Sequence, residues 1–424
     1  MNRIRVGITA GEFIKWGGGI DFLSNIVMAL ALSDEVQLLG LVPYGGQDNF
    51  EAINSRSEYL VHSLKSNILG ALDRVKSQLP DTSAAMSASL EQFALAADTA
   101  MPIAFYRPTM PGLLNMLRKK RVNVIMPVIG DLGRNFPIPW VGYIWDLQHI
   151  DHPEYFAPDE NSRRDNLFLN MCKNAPSIMV NSRYVKAQVE HYYPESKGKV
   201  FVLSFLPVVR KEWLADNSGN ILEKYKLPER YFLVSNQFWQ HKDHMCAFQA
   251  LNMLKNRNIH LVCTGKFEEP RNPEYIVRLK KYISDHHLEK RIHILGFISK
   301  NDQIALLKKS LAAIQPTLYE GGPGGGIAYN ALALGKKIII SDIDINREIK
   351  NSRALFFKAG NVKSLSEKML KVIDSQIENI SSQDQIIKVS NKNLFYLHRD
   401  IMKGVELAGS NWRLQKSYKL KGGF

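Results

Sequence analysis

Three cysteines in 424 residues, Cys172, Cys246 and Cys263, are too few and too scattered for a disulfide framework or a zinc site. Each falls in an apolar or helical context and is expected to be a reduced thiol, which points to a cytoplasmic protein. Long apolar runs are missing too. No stretch approaches the roughly 20 residues of a spanning helix, so any membrane contact is expected to be peripheral, at the inner face. The N-terminal strand pattern Met1–Ala10 has an apolar part too short for a signal peptide. No Gly-Lys-Ser/Thr follows a glycine run, which excludes a P-loop, and no G-x-G-x-x-G follows the first strand. Nucleic-acid motifs and interleaved aromatic–basic stripes are also absent, so nucleic acid is not an expected partner.

Hydrophobic residues make up 45% and charged residues 23%, a globular balance with enough apolar material for two cores of about 200 residues each. Lys plus Arg number 55 against 41 Asp plus Glu, giving +14. That excess favours anionic partners such as phosphorylated ligands or an anionic membrane surface, and equally fits a generally basic soluble protein.

Along the chain, apolar strand-like runs alternate with helical stretches, first from Ile4 to Leu203 and again from Tyr231 to Ser375. Such alternation implies parallel sheets with right-handed crossovers. The expected fold is α/β, with two doubly wound, Rossmann-like domains facing across a cleft. The expected boundaries are 1–208 for the first domain, with a helical insertion over about 47–109, and 209–395 for the second. Residues 396–424 are expected as a C-terminal helix and tail returning to the first domain, loose over Asn411–Phe424. Ligands of doubly wound sheets sit at the carboxyl ends of the strands, so the cleft is the expected site.

The most informative segment is Glu320-Gly-Gly-Pro-Gly-Gly-Gly326, between the apolar run Leu311–Gln315 and a helical pattern from Ile327. A glycine turn at a helix N-terminus exposes backbone N–H groups to an anion and lets a diphosphate approach closely. It also serves as a plain loop. The Glu320 carboxylate would repel phosphate but suits a neutral hydroxyl pair such as a ribose, because it offers two acceptors and no donor. A sugar nucleotide carries both groups.

Three stretches of the second half resemble the donor domain of the retaining GT-B glycosyltransferases, the large family that includes many bacterial mannosyl- and glucosyltransferases. Pro316–Gly326 is similar to that family's Pro-Ser-x-x-Glu-Gly-Phe-Gly segment, and Ala333–Glu348 to its helix end, strand and Ser-Asp-x-x-x-x-x-Glu. Phe232–His244 resembles the strand–turn whose Arg and Lys contact the donor diphosphate. In the first half, Ala10–Gly19 looks like the glycine-rich first loop and Tyr143–His149 like the segment that usually reads His-Asp.

The resemblance implies sugar transfer from a nucleoside diphosphate sugar to a glycan or lipid-linked acceptor hydroxyl, in surface polysaccharide or glycoconjugate synthesis. It implies retention of configuration and no cofactor, and no metal is expected. It assigns donor binding to Gly18, Gly19, Gln237, Lys242, Gly265, Phe297, Glu320, Gly324, Gly325, Gly326 and Asn330, and acceptor binding to Trp145 and His149. Lys242, Glu320 and Asp146 are the expected catalytic residues, Lys242 by neutralising the departing diphosphate. Each has a local structural alternative. His241, His244, Asp342 and Asp344 do not complete a metal site.

Three departures matter. Position 328 is alanine, and counting back from Gly335 puts Asn330 where the family's second glutamate falls. Gln237 stands in place of the turn arginine, and Trp145 in place of the usual histidine. These losses also suit a non-catalytic nucleotide-binding partner of the same fold. An epimerase- or phosphorylase-like enzyme is a further alternative.

Overall fold

The computed structural model describes residues 3–13, 17–43, 101–215, 220–375 and 382–421. The first domain is a seven-stranded sheet formed by β1 Ile4–Thr9, β2 Val36–Pro43, β3 Ile103–Tyr106, β4 Val124–Val128, β5 Trp140–Tyr143, β6 Ser177–Val180 and β7 Val200–Val202, ordered β3-β2-β1-β4-β5-β6-β7. Every pairing is parallel. The central strands read as unbroken apolar runs because helices cover both faces; β4 and β6 are buried at every residue. The covering helices include α1 Gly17–Leu30, α2 Met110–Lys119, α3 Pro158–Asn174 and α4 Arg183–Tyr192.

The second domain repeats the plan with β8 Tyr231–Ser235, β9 His260–Thr264, β10 Ile292–Ile294, β11 Ala313–Gln315, β12 Ile338–Ser341 and β13 Ala354–Phe357, ordered β10-β9-β8-β11-β12-β13 and again all parallel. Its helices are α5 His244–Met253, α6 Pro273–Asp285, α7 Lys300–Lys309, α8 Gly325–Ala333 and α9 Val362–Asp374. Helix starts follow local chemistry. Ser182, Ser299 and Asn361 each accept the N–H three residues on, satisfying an amide with no intrahelical partner. The fold class expected from alternation is the one observed.

Three local expectations change. The end of the span 47–109 is not helical cover, because Ile103–Tyr106 pairs with Gly40–Pro43 as the sheet's edge strand; residues 47–100 lie outside the described set. The glycines Gly17–Gly19 form the first turn of α1 instead of a loop before it. The C-terminal helix α10 runs from Gln383 to Lys421, starting before 396 and continuing through the segment expected to be loose.

Helix α10 carries Ile386 in the second domain's core and Leu397, Ile401, Val405 and Ala408 in the first domain's core. That spacing forms one helical stripe, and burying each of the larger side chains contributes about 1.5–3 kcal/mol. Its last turns are held by polar bonds: Asn411 donates to the Pro176 carbonyl at 2.9 Å and Trp412 Nε1 to that of Phe136 at 3.0 Å. Gly404 lies against the Phe201 ring, where an added Cβ would come within 2.1 Å of the ring edge. Gly404→Leu is therefore expected to lower stability by about 1–3 kcal/mol despite leucine's better helix propensity. Chemical denaturation tests this, and an unchanged midpoint would contradict the packing described.

Candidate active site

The site forms where the carboxyl ends of the two sheets meet. After β11, the chain passes through Pro316–Tyr319 into the glycine turn. Gly324 and Gly325 both take left-handed backbone (φ 68° and 60°), and Gly324 is the N-cap of α8. A side chain at Gly324 would also run into Ala328 and Ile340, so this position needs glycine twice over. The turn's amides are partly spoken for. Gly324 N donates to Asn346 Oδ1 at 2.7 Å and Gly325 N to the Gly322 carbonyl at 3.4 Å, while open space surrounds Gly326.

Glu320 and Lys242, expected in separate roles, are ion-paired at 2.6 Å and almost wholly buried. The same oxygen, Oε1, accepts from Gln315 Nε2 at 2.7 Å, and Gln315 Oε1 accepts from Asn236 Nδ2 at 2.7 Å. A polar chain thus runs from the end of β8 through β11 to the glycine turn. Nothing in the sequence pointed to Gln315 except a polar residue closing an apolar run. Oε2 of Glu320 takes no hydrogen bond from a described residue, so it can accept one from a ligand.

Asn330, on α8, is buried, with neither amide atom bonded to a described residue. It caps nothing locally, since Gly324 holds the N-cap. A buried, unpartnered amide is costly unless a ligand completes it. Gln237, Gly265 and Phe297 lie after β8, β9 and β10 on the same sheet edge. Gln237 and Phe297 are exposed, and Gly265 lets its strand pass against the Asn236 carbonyl, 2.0 Å from where a Cβ would stand.

From the first domain, Trp145, Asp146 and His149 follow β5. Asp146 Oδ1 binds Arg164 at 2.5 Å and accepts from Gln148 N, leaving Oδ2 without a described partner. Arg164 lies over the rings of Phe156 and Trp145, 4.7 and 5.3 Å from their centroids. Across the interface, Tyr319 Oη accepts from Leu147 N at 3.2 Å, and a Cβ on Gly321 would stand 2.2 Å from the Trp145 carbonyl oxygen. Glu348 bonds the Arg183 and Tyr184 amides at the start of α4, 3.1 and 2.8 Å away. The sequence marked Glu348 only as the end of a motif, Tyr319 only as an unassigned position within one, and Arg164 not at all.

His149, His241 and His244 are buried, and both ring nitrogens of His149 and His244 lack hydrogen-bond partners among the described residues, with Asp165 Oδ1 4.0 Å from His149 Nε2. Burial is the main cause that pushes them down, to about 4, about 2 and about 3; Arg164 adds to it at His149 and Lys242 at the other two. All three are therefore neutral near pH 7. An unfolded chain protonates them below about pH 6.5, so it binds more protons than the native state and stability falls as pH falls through that value. Each histidine costs about 2 kcal/mol of stability by about pH 5. His244 stacks on Phe238 with ring centroids 3.9 Å apart. His244→Phe keeps a ring in that stack and is expected to lose melting temperature less steeply on acidification; an identical slope would refute its burial as a neutral group.

Among the described residues, no group of three or more His, Cys, Asp or Glu is placed to hold a metal ion.

The two facing parallel-sheet domains, with a glycine turn on the second and strand-end residues of the first meeting it, define a GT-B fold. Residues 220–392 match the family described as Glycosyl transferases group 1. O-antigen chain mannosyltransferase RfbU of Salmonella typhimurium is 24% identical over 271 residues, covering 63% of this chain and 67% of that protein. Similar solved structures include sucrose-phosphate synthase from Thermosynechococcus elongatus (TM-score 0.57, 11% identity, 99% of this chain and 100% of that one). A Rickettsia africae glycosyltransferase (0.55, 16%, 100% of both) and Anabaena HepE in complex with UDP and glucose (0.55, 12%, 98% and 100%) are also similar. The chain has the GT-B fold, and its second domain is similar to the Glycosyl transferases group 1 family over the residues matched.

Proposed function

We propose that this protein transfers a sugar from a nucleoside diphosphate sugar to an acceptor hydroxyl during synthesis of a bacterial surface polysaccharide, with retention of configuration and without a metal. The observation that carries this reading is the buried Lys242–Glu320 pair beside the glycine turn of a domain similar to the Glycosyl transferases group 1 family. The likeness to an O-antigen mannosyltransferase makes GDP-mannose the first donor to test.

The chemistry follows from the groups present. Lys242 turns from Glu320 to the diphosphate, where its charge meets negative charge that grows as the sugar–oxygen bond breaks. Glu320 keeps Gln315 and accepts from ribose hydroxyls, while Asn330 offers the donor sugar both a donor and an acceptor. Among the described residues, Asp146 is already ion-paired with Arg164 and Glu320 with Lys242, and burial holds the neutral His149 imidazole at about 4, too weak a base to take the acceptor proton. The leaving phosphate itself then stabilises the oxocarbenium and receives the acceptor proton, on the face that retains configuration. Asp146 Oδ2 and His149 orient the acceptor beside Trp145.

The amide at Asn330 and the uncharged Gln237 favour one second reading, a nucleotide-binding partner without activity. Release of nucleoside diphosphate from a donor sugar with an acceptor present separates the two. If Glu320 holds the ribose, Glu320→Ala is expected to weaken binding of the nucleoside itself about tenfold. Lys242→Ala is expected to leave nucleoside binding intact and lower kcat at least about 100-fold. Calorimetry and turnover on folded variants decide this, and wild-type kinetics in Lys242→Ala would end its role.

A peripheral membrane position at the inner face is part of the same proposal. No helix of the described residues is long and apolar enough to cross a membrane. The end of α2 carries Arg118 and Lys119, followed by Lys120 and Arg121, and basic residues at an anionic surface contribute about 1 kcal/mol each. Recovery with anionic vesicles should exceed that with neutral ones and fall as salt rises; equal recovery would contradict it.

A further inference from the structure

The Lys242–Glu320 pair lies within the second domain, whereas a second buried charge cluster joins the two domains. Asp21, one turn into α1, binds Arg210 of the connector between β7 and β8 through Oδ1 at 2.8 Å and Lys300, the first residue of α7, through Oδ2 at 2.5 Å. All three side chains are at most 16% exposed. Trp213 lies beside both cations, 5.2 and 5.4 Å from its ring centroid. One carboxylate faces two cations, so the cluster carries an excess positive charge out of water. Arg210 Nε is also buried, with no described partner. An uncompensated buried cation with an orphaned donor is costly, and such a site favours a second anion. The N-termini of α1 and α7 add positive dipole ends at the same place.

The cluster lies beside the proposed donor site. Gln303, one turn after Lys300, donates to Ser235 Oγ at the end of β8. The next residue, Asn236, begins the chain to Gln315, Glu320 and Lys242. At that end, Lys242 is neutralised by Glu320, and Gln237 brings no charge. A diphosphate arriving there meets a turn with no net charge, whereas the excess charge sits at Arg210 and Lys300.

We propose that Arg210 and Lys300 form an anion site for a phosphate group of the nucleotide donor, and that the Asp21 carboxylate fills this site in the unliganded chain. The two cations thereby replace the arginine missing from the turn after β8. Ligand phosphate displaces Asp21 and draws α1, the connector and α7 onto the same group. This assignment rests on the nucleoside diphosphate reading above.

Calorimetry with UDP, GDP and ADP and the matching nucleosides tests it on wild type, Arg210→Gln, Lys300→Gln and Asp21→Asn. Each glutamine variant is expected to bind the preferred diphosphate about tenfold or more weakly, with nucleoside affinity unchanged. Asp21→Asn removes the competing carboxylate, so it is expected to bind the diphosphate several-fold tighter while melting at a lower temperature. A cluster that only ties the domains together predicts the opposite sign. Asp21→Asn binding diphosphate more weakly, or glutamine variants with wild-type affinity, would overturn the site. If a glutamine variant does not fold, Arg210→Lys, which keeps the charge and loses Nε–H, is expected to bind diphosphate with intermediate affinity, and wild-type affinity would count against the site. Wild type binding none of the three diphosphates would remove the donor reading, and this site with it.

Discussion

The close approach of the glycine turn to the end of β5 is the contact on which the site depends. Gly321 lies so near the Trp145 carbonyl that a single methyl group would stand 2.2 Å from the oxygen. Backbone cannot yield as a flexible side chain does, so only glycine permits this seating. Further interface contacts gather around it. Tyr319 meets Leu147, Glu348 bonds the first amides of α4, and Ile343 and Ile345 of the second domain pack into the first domain's core. Helix α10 fastens the same two bodies from outside, through its apolar stripe.

Within this frame charge is distributed in pairs. Lys242 with Glu320 and Arg164 with Asp146 are desolvated together, which offsets much of the cost of burying each ion alone. Breaking such a pair is expensive unless an incoming group takes over one partner. A phosphorylated ligand can do so at Lys242, and a hydroxyl-bearing one can use the free oxygens of Glu320 and Asp146. Asn330 differs in kind, since its unpartnered amide is unsatisfied as it stands.

Much of this was legible in the sequence. Strands such as Tyr231–Ser235 and Ile338–Ser341 were visible because both their faces are buried, so they are continuous apolar runs. Glu320, Lys242 and the glycines were legible from the strand–turn–helix punctuation and the family resemblance. The partners were not. Gln315, Tyr319, Arg164 and Arg210 owe their positions to contacts between residues far apart in the chain, and local pattern carries no record of those. The edge strand Ile103–Tyr106 was missed because it is only four residues long and follows a stretch whose sequence pattern has no clear periodicity. The basic tail looked loose because its anchoring is polar, through Asn411 and Trp412 to first-domain carbonyls, and leaves no apolar periodicity.

The central claim is that the Lys242–Glu320 pair opens to receive a diphosphate at the N-terminus of α8. A crystal structure with bound nucleoside diphosphate tests it most directly. The account predicts a phosphate oxygen within hydrogen-bond distance of Lys242 Nζ and of the amide of Gly326, with Lys242 drawn away from Glu320 and Glu320 still bonded to Gln315. A diphosphate bound elsewhere, with the 2.6 Å pair intact, would contradict it.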